Sequence, residues 1–123
     1  MPDKSPRLLI GWTTVSSRED AARLAGGIVE KRLAACAQID GPITSHYHWD
    51  GKLCADTEYR LTIKFPADNL GDVGKWIHDH HPYDTPQWVV VAAEHVSDAY
   101  LTWVKETTRL FGTSQGESAS NVM

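Results

Sequence analysis

Several segments of the chain have the apolar patterns of β-strands, and in one of them apolar residues recur at every second position, which is the spacing of a strand with one buried face. The clearest case is Thr57–Phe65, where apolar and polar residues alternate. Arg7–Val15 is apolar, β-branched and aromatic, and Trp88–Ala93 is a compact apolar run, so both are predicted strands. Ala35–Trp49 is predicted to be a long extended segment. The Asp50-Gly51 pair after it predicts a hairpin turn, because both residue types tolerate positive φ.

Other segments carry apolar residues at helical spacing. The first helix is predicted to begin at a capping box, in which Ser16 accepts from a free backbone N–H and Glu19 reaches back. Its apolar face consists of Ala21, Leu24, Ala25, Ile28 and Leu33. Gly26 and Gly27 lie inside this helix, and each costs about 1 kcal/mol relative to Ala in a helix interior. The pair therefore either weakens the helix prediction or marks close approach to the sheet.

Two further helices are predicted from their start and stop signals. The second lies between Asp68, as its N-cap, and Pro82, which cannot continue a helix. The third starts at the N-cap Ser97 and is predicted to end at Gly112. Its apolar positions are Tyr100, Leu101, Val104 and Phe111. Residues 113–123 are small and polar and are predicted to form a disordered tail.

The elements follow the order β-α-β-β-α-β with one added C-terminal helix. This order predicts an α+β, ferredoxin-like fold in a single domain over residues 1–112. Such a fold places both main helices on one face of the sheet. Glu58, Arg60 and Lys64 form a polar strand face or, in an assembly, line a cleft between subunits. Neither the third helix nor the tail is long enough to cover the open side of the sheet. We therefore expect that side to be buried against other copies of the chain in a closed symmetric assembly.

Composition and charge exclude several classes of function. The chain of 123 residues has a formal net charge of −4 and no basic run, so binding to nucleic acid or to an anionic membrane is not expected. No apolar segment is long enough to span a bilayer, and no signal peptide is expected. Cys36 and Cys54 match no CxxC spacing and are expected to be reduced thiols, as in a cytoplasmic protein.

One short segment concentrates side chains that can do chemistry. Residues 80–86, His-His-Pro-Tyr-Asp-Thr-Pro, combine two imidazoles, a phenol and a carboxylate with two prolines that restrict the backbone. The segment is either a metal or ligand site or a rigid corner. His46 and His48 share one strand face and form a second candidate pair, unless they line a polar subunit contact or face solvent. His78 and His81 share a helical face, although the helix dipole also explains histidines at a helix end.

Several motifs in this order resemble the CutA divalent-cation tolerance family. They span Leu8 to Phe111 and comprise Lys31–Cys36, Ser45–Lys52, Glu58, Lys64, His81–Pro86 and Tyr100–Trp103. The resemblance implies a ferredoxin-like subunit assembled as a compact homotrimer, with an architecture similar to the PII signal-transduction proteins and no established enzymatic activity. It also implies a role in tolerance to copper and other divalent cations.

The resemblance makes His80 and His81 the candidate metal ligands, for Cu²⁺ or another divalent cation, and no cofactor is assigned beyond that ion. In some family members copper binding is linked to a cysteine in the first strand, a glutamate after the Thr-Pro pair and a histidine of the His-His pair. The equivalents here are Thr13, Gln87 and His80. A hydroxyl and an amide are weak ligands for a soft or borderline metal, so a copper site there is expected to be weak. Asp84 replaces the family's usual glutamate and has a shorter reach.

Three functions remain open. The first is a non-enzymatic, cytoplasmic homotrimer that binds or responds to divalent cations. The second is a PII-like sensor that binds a small molecule or nucleotide between subunits, although the chain lacks a Gly-rich phosphate loop and a basic cluster. The third is a structural or interaction trimer without a small ligand. Enzymatic activity is not expected, because no nucleophile is paired with a base and no carboxylate pair has a recognisable spacing.

Overall fold

The computed structural model of the protein describes residues 7–108. Its strands are β1 (Leu8–Val15), β2 (Cys36–Trp49), β3 (Lys52–Pro66) and β4 (Val89–Ala92), and its helices are α1 (Arg18–Glu30), α2 (Leu70–His80) and α3 (Asp98–Thr107). A short 3-10 turn, Ala67–Asn69, precedes α2. The predicted β-α-β-β-α-β order with an added helix is confirmed.

The strands of the described region form one antiparallel sheet in the order β2-β3-β1-β4, which is the arrangement of a ferredoxin-like fold. β2 and β3 form a long hairpin, and the predicted turn at Asp50-Gly51 is confirmed, with φ of 54° and 75° at its two residues. The hairpin register shifts between Asp40 and Ile43, at a cis Gly41-Pro42 bond. This bulge divides the hairpin into a part beside the helices and a part that extends toward the turn.

α1 and α2 pack on one face of the sheet and enclose the main core. The larger buried side chains of this core are Leu9, Val15, Leu24, Ile28, Leu61, Ile63, Phe65, Val73 and Ile77. Gly27 allows the two helices to approach closely, because a Cβ there would lie 2.9 Å from the Trp76 ring, whereas a Cβ at Gly26 would meet nothing within 4 Å. The close approach predicted for the glycine pair is therefore to α2 and not to the sheet.

The predicted boundaries of α1 are wrong at both ends. Ser17, and not Ser16, is the N-cap: its backbone is extended and its hydroxyl accepts from the Asp20 N–H at 3.0 Å. The two serines are chemically equal, and only the backbone conformation selects the second. Leu33 is buried, as predicted, but it lies beyond the end of α1 at Glu30.

The start of α2 is also displaced from its prediction. Asp68 lies within the 3-10 turn, and Asn69 precedes the helix without a capping bond from its side chain. The Asn69 side chain is fully buried and its Nδ2 donates to the Leu33 carbonyl oxygen at 3.0 Å, so it ties the turn to the segment after α1. The predicted N-cap of α3 is confirmed, since the Ser97 hydroxyl accepts from the Tyr100 N–H.

The predicted end of α3 at Gly112 is wrong, because the helix ends at Thr107. Thr108 is extended (φ −114°, ψ 161°) and its hydroxyl donates to the Val104 carbonyl oxygen at 2.8 Å. Threonine side chains compete in this way for helical carbonyl groups. Phe111, Gly112 and the predicted tail over residues 113–123 lie outside the described residues.

The face of the sheet opposite α1 and α2 is only partly covered. At one end, α3 packs Leu101 and Val104 against Leu8. Near β4 the face is open, with Val89 50% exposed and Val91 41% exposed. An apolar surface of this kind is available for contact with another molecule. None of the helices between residues 7 and 108 is long and apolar enough to cross a membrane.

Candidate functional site

The connection between α2 and β4 carries the predicted segment 80–86. α2 ends at His80, because a proline at position 82 pushes the residue before it out of the helical region. His81 accordingly has an extended backbone, with φ −74° and ψ 140°. The segment forms the predicted corner between a helix and a strand, and its side chains point to different surroundings.

Both ring nitrogens of His81 have partners within the chain. Nε2 lies 2.9 Å from the Thr13 hydroxyl oxygen and 3.1 Å from the Thr14 carbonyl oxygen, while Nδ1 accepts from the Tyr83 N–H at 3.1 Å. These partners assign the ring proton to Nε2, since a carbonyl oxygen can only accept. Burial lowers the pKa of His81 and favours this neutral form. The ring therefore joins the corner to β1, and a metal ion at either nitrogen would displace a hydrogen bond.

His80 has different neighbours. Its ring stacks on Trp76, with centroids 4.1 Å apart and planes at 20°, and its Nδ1 donates to the Trp76 carbonyl oxygen at 2.8 Å. Nε2 has no hydrogen-bond partner among residues 7–108, and the side chain is exposed at the end of α2. Of the two predicted ligands, His80 is therefore the one with a nitrogen available to an ion.

The other candidate ligands do not complete a metal centre. His46 and His48 are exposed on β2, and the Nδ1 of His78 bonds to the carbonyl oxygen of Gly74 in its own helix. Gln87 is exposed and lines the cleft described below, whereas Thr13, whose hydroxyl His81 contacts, is fully buried. Across the described part of the chain, no group of three or more His, Cys, Asp or Glu side chains could hold a metal ion.

A cleft of about 650 Å³ opens between the corner and the β2–β3 hairpin. It is lined by Thr14, Ser45, His46, Tyr47, Trp49, Glu58, Tyr83, Asp84, Thr85 and Gln87, and we call it the Glu58 cleft. Glu58 is only 9% exposed, and its Oε2 accepts from the Tyr83 hydroxyl at 2.9 Å. This contact fixes the corner to β3.

The Glu58 cleft is acidic. Burial and the neighbouring Glu58 carboxylate raise the pKa of Tyr83 to about 12, so the phenol stays protonated and donates to Glu58 at neutral pH. Within the hairpin, the Tyr47 hydroxyl of β2 donates to the Asp56 carboxylate of β3, and this bond raises the pKa of Tyr47 to about 12. Among the described lining residues there is neither Lys nor Arg.

The contact between Glu58 and Tyr83 was missed by the sequence analysis. The sequence pattern places Glu58 on a polar strand face and Tyr83 in the segment 80–86, and no periodicity connects residues 25 positions apart. A signal did exist, because both residues belong to the motifs that carry the family resemblance. The topology brings them together, since β3 is the strand beside β1, to which the corner is bonded.

Comparisons with known proteins agree with this architecture. A family model described as CutA1 divalent ion tolerance protein matches residues 9–107. The chloroplastic Protein CutA of Arabidopsis thaliana is 37% identical over 101 residues, which are 82% of this chain and 56% of that protein. The divalent-cation tolerance protein CutA of Archaeoglobus fulgidus is 34% identical over 96 residues, which are 78% of this chain and 93% of that protein. The chain therefore spans about half the length of the plant relative and nearly all of the archaeal one.

The three-dimensional comparison gives the same result. The structure of CutA from Synechococcus elongatus matches with a TM-score of 0.81 at 33% sequence identity, covering 87% of this chain and 95% of that chain. The sheet and helices are thus shared with a protein of similar length.

Proposed function

Because the chain belongs to the CutA1 divalent ion tolerance protein family, we propose that it is a non-enzymatic homotrimer that binds or responds to divalent cations such as Cu²⁺. The observation that carries this proposal is the family match over residues 9–107, which extends from β1 to α3. The archaeal relative is named for divalent-cation tolerance, and we extend that role to this chain. A cytoplasmic location is part of the proposal, while the plant relative is named as chloroplastic.

The open sheet face and the tip of the hairpin support the assembly. Val89 and Val91 are half exposed on that face, and near the turn Leu53 is 74% exposed. Exposed apolar surface of this extent marks interaction sites. In a closed ring of identical chains these surfaces can cover each other and leave no open sheet edge. We therefore assign them to contacts between three copies.

The cation-binding part of the proposal rests on His80 and His81. His80 presents Nε2 at the exposed end of α2, whereas His81 can bind an ion only by giving up a hydrogen bond to β1 or from Tyr83. A tight site usually has three or four protein ligands held in place. The described residues do not form such a set, so they do not fit a tightly held ion. We propose weak, exchangeable binding that begins at His80.

Isothermal titration calorimetry of the full chain with CuCl₂ tests this proposal. We expect saturable binding that is lost on dialysis and that weakens in His80→Ala. His95→Ala is the matched control, because His95 is an exposed histidine outside the corner, and it should bind copper as the wild type does. Absence of saturable heat, or equal binding by the His80→Ala variant, would contradict the cation-binding part and leave the family and fold unchanged.

The second candidate function is small-molecule sensing of the PII type, and the Glu58 cleft favours it. The cleft has the size of a small-molecule site, and it lies beside surfaces assigned to subunit contacts. A thermal-shift screen would decide the order of the two functions. Small molecules that raise the melting temperature, with no effect of divalent cations, would place sensing first.

A further inference from the structure

We propose that the Glu58 cleft binds an organic ammonium compound, that is, a small amine that is positively charged at neutral pH and carries an apolar body. This inference rests on the second candidate function and names its ligand class. Three features of the cleft lead to it: a buried carboxylate without a countercharge, aromatic walls, and the absence of metal-binding geometry.

The first feature is the charge of Glu58. One oxygen of this largely buried carboxylate accepts from Tyr83, which is a neutral donor, and the other oxygen has no hydrogen-bond partner among the described residues. Arg60 follows on the same face of β3, but its guanidinium pairs with Asp40 at 3.3 Å and it is not part of the lining. A carboxylate removed from water is costly unless a positive group pairs with it. A cationic ligand supplies that group.

The second feature is the aromatic wall. Tyr47, Trp49 and Tyr83 line the cleft, and Trp49 is 63% exposed, so the face of its indole is accessible. Ammonium groups are attracted to the faces of aromatic rings, most strongly to Trp, and aromatic walls recur in sites for quaternary ammonium ligands. The same rings provide apolar contact for the body of the ligand.

The third feature separates this ligand from the other classes. Anions such as phosphates and nucleotides are disfavoured, since Glu58 and Asp84 line the cleft and no described Lys or Arg does. A divalent metal ion is disfavoured as well, because no three ligand side chains converge anywhere between residues 7 and 108. An ammonium ion needs only one carboxylate and ring faces, which is what the cleft contains.

The test is calorimetry of the full chain with two pairs of isosteric probes. Benzylammonium is compared with benzyl alcohol, and choline with the neutral 3,3-dimethylbutan-1-ol. We expect at least one ammonium probe to bind about tenfold or more tightly than its neutral partner, because a charge-assisted contact with Glu58 is lost in the alcohol. Inorganic phosphate should not bind.

Substitutions locate the binding. Glu58→Gln keeps the shape of the side chain and should weaken ammonium binding about tenfold or more, and Tyr83→Phe should weaken it less. Glu94→Gln is the matched control, because Glu94 is an exposed glutamate outside the cleft, and it should bind as the wild type does. Circular dichroism and the measured mass of each variant verify that fold and assembly are retained.

Four outcomes are informative. Ammonium-selective binding that depends on Glu58 supports the inference. Equal affinity for ammonium and alcohol, or equal affinity of Glu58→Gln and wild type, overturns it. Binding of phosphate or nucleotide instead also overturns it but leaves small-molecule sensing in place. No binding of any probe overturns it, whether or not Glu58→Gln changes the stability of the assembly.

Discussion

The neighbouring glycines of α1 allow a matched pair of substitutions with opposite expected effects. Gly26→Ala should raise the free energy of unfolding by about 0.5–1 kcal/mol, because alanine is the better helix former and the new Cβ meets nothing within 4 Å. At Gly27 a Cβ would lie 2.9 Å from Cη2 and Cζ2 of Trp76. Packed carbon atoms lie about 3.5–4.0 Å apart, so the ring or the helix must move.

Overpacking of a well-packed contact costs about 1–3 kcal/mol, and the gain in helix propensity offsets about 1 kcal/mol of it. Gly27→Ala should therefore lower the free energy of unfolding by up to about 2 kcal/mol. The disturbance should also reach the corner, because Trp76 stacks on His80. The His80 ring resonances in NMR spectra should shift in Gly27→Ala and stay in place in Gly26→Ala.

Urea denaturation followed by far-UV circular dichroism, at one protein concentration for all samples, measures the difference in stability. Equal concentrations matter because the apparent stability of a protein that assembles, as we propose for this one, depends on its concentration. If Gly27→Ala is as stable as Gly26→Ala, the helices do not approach as closely as the structure shows, and the explanation of the glycine pair is refuted.

Three further predictions concern pH, a buried amide and assembly. The free energy of unfolding should fall as the pH is lowered from about 8 to about 5.5, because His81 of the unfolded chain takes up a proton that the half-buried His81 of the folded chain, with its lowered pKa, takes up less readily. Urea denaturation should give a flatter pH profile for His81→Gln, and coinciding profiles would exclude His81 as the cause. Asn69→Ala should cost about 1–3 kcal/mol, since the Leu33 carbonyl oxygen loses its buried donor, and an unchanged melting temperature would contradict this. Val91→Asp on the open face should dissociate the proposed trimer, so that light scattering reports a lower mass than for the wild type; an unchanged mass would place the contact elsewhere.

The order of elements was predictable because it rests on periodicity over many residues. Alternation in β3 and the Asp50-Gly51 turn identify the hairpin, and the two prolines identify the corner. Helix starts were less predictable. Ser16 and Ser17 have the same side chain, and only the backbone conformation decides which of them is the N-cap of α1. The sequence predicts the end of α3 at Gly112, because glycine commonly follows a helix. In the structure the helix ends at Thr107, and the Thr108 hydroxyl bonds to the carbonyl oxygen of Val104 in the last turn.

The candidate site was predictable in part. The sequence identified the histidine pair. It could not show that both ring nitrogens of His81 are hydrogen-bonded while His80 keeps one ring nitrogen available, because the side chains of adjacent residues at a helix end point in different directions. The Glu58 cleft depends on contacts between segments that are distant in sequence, and these follow from topology alone.

Native mass spectrometry of the full chain, with and without CuCl₂, tests the central claim most directly, because it measures assembly and metal binding in one spectrum. We predict a complex of three times the 13.7 kDa chain mass, with copper adducts that appear on titration and decrease in His80→Ala. A monomer, or a trimer that takes up no copper above the level of the variant, would contradict the account.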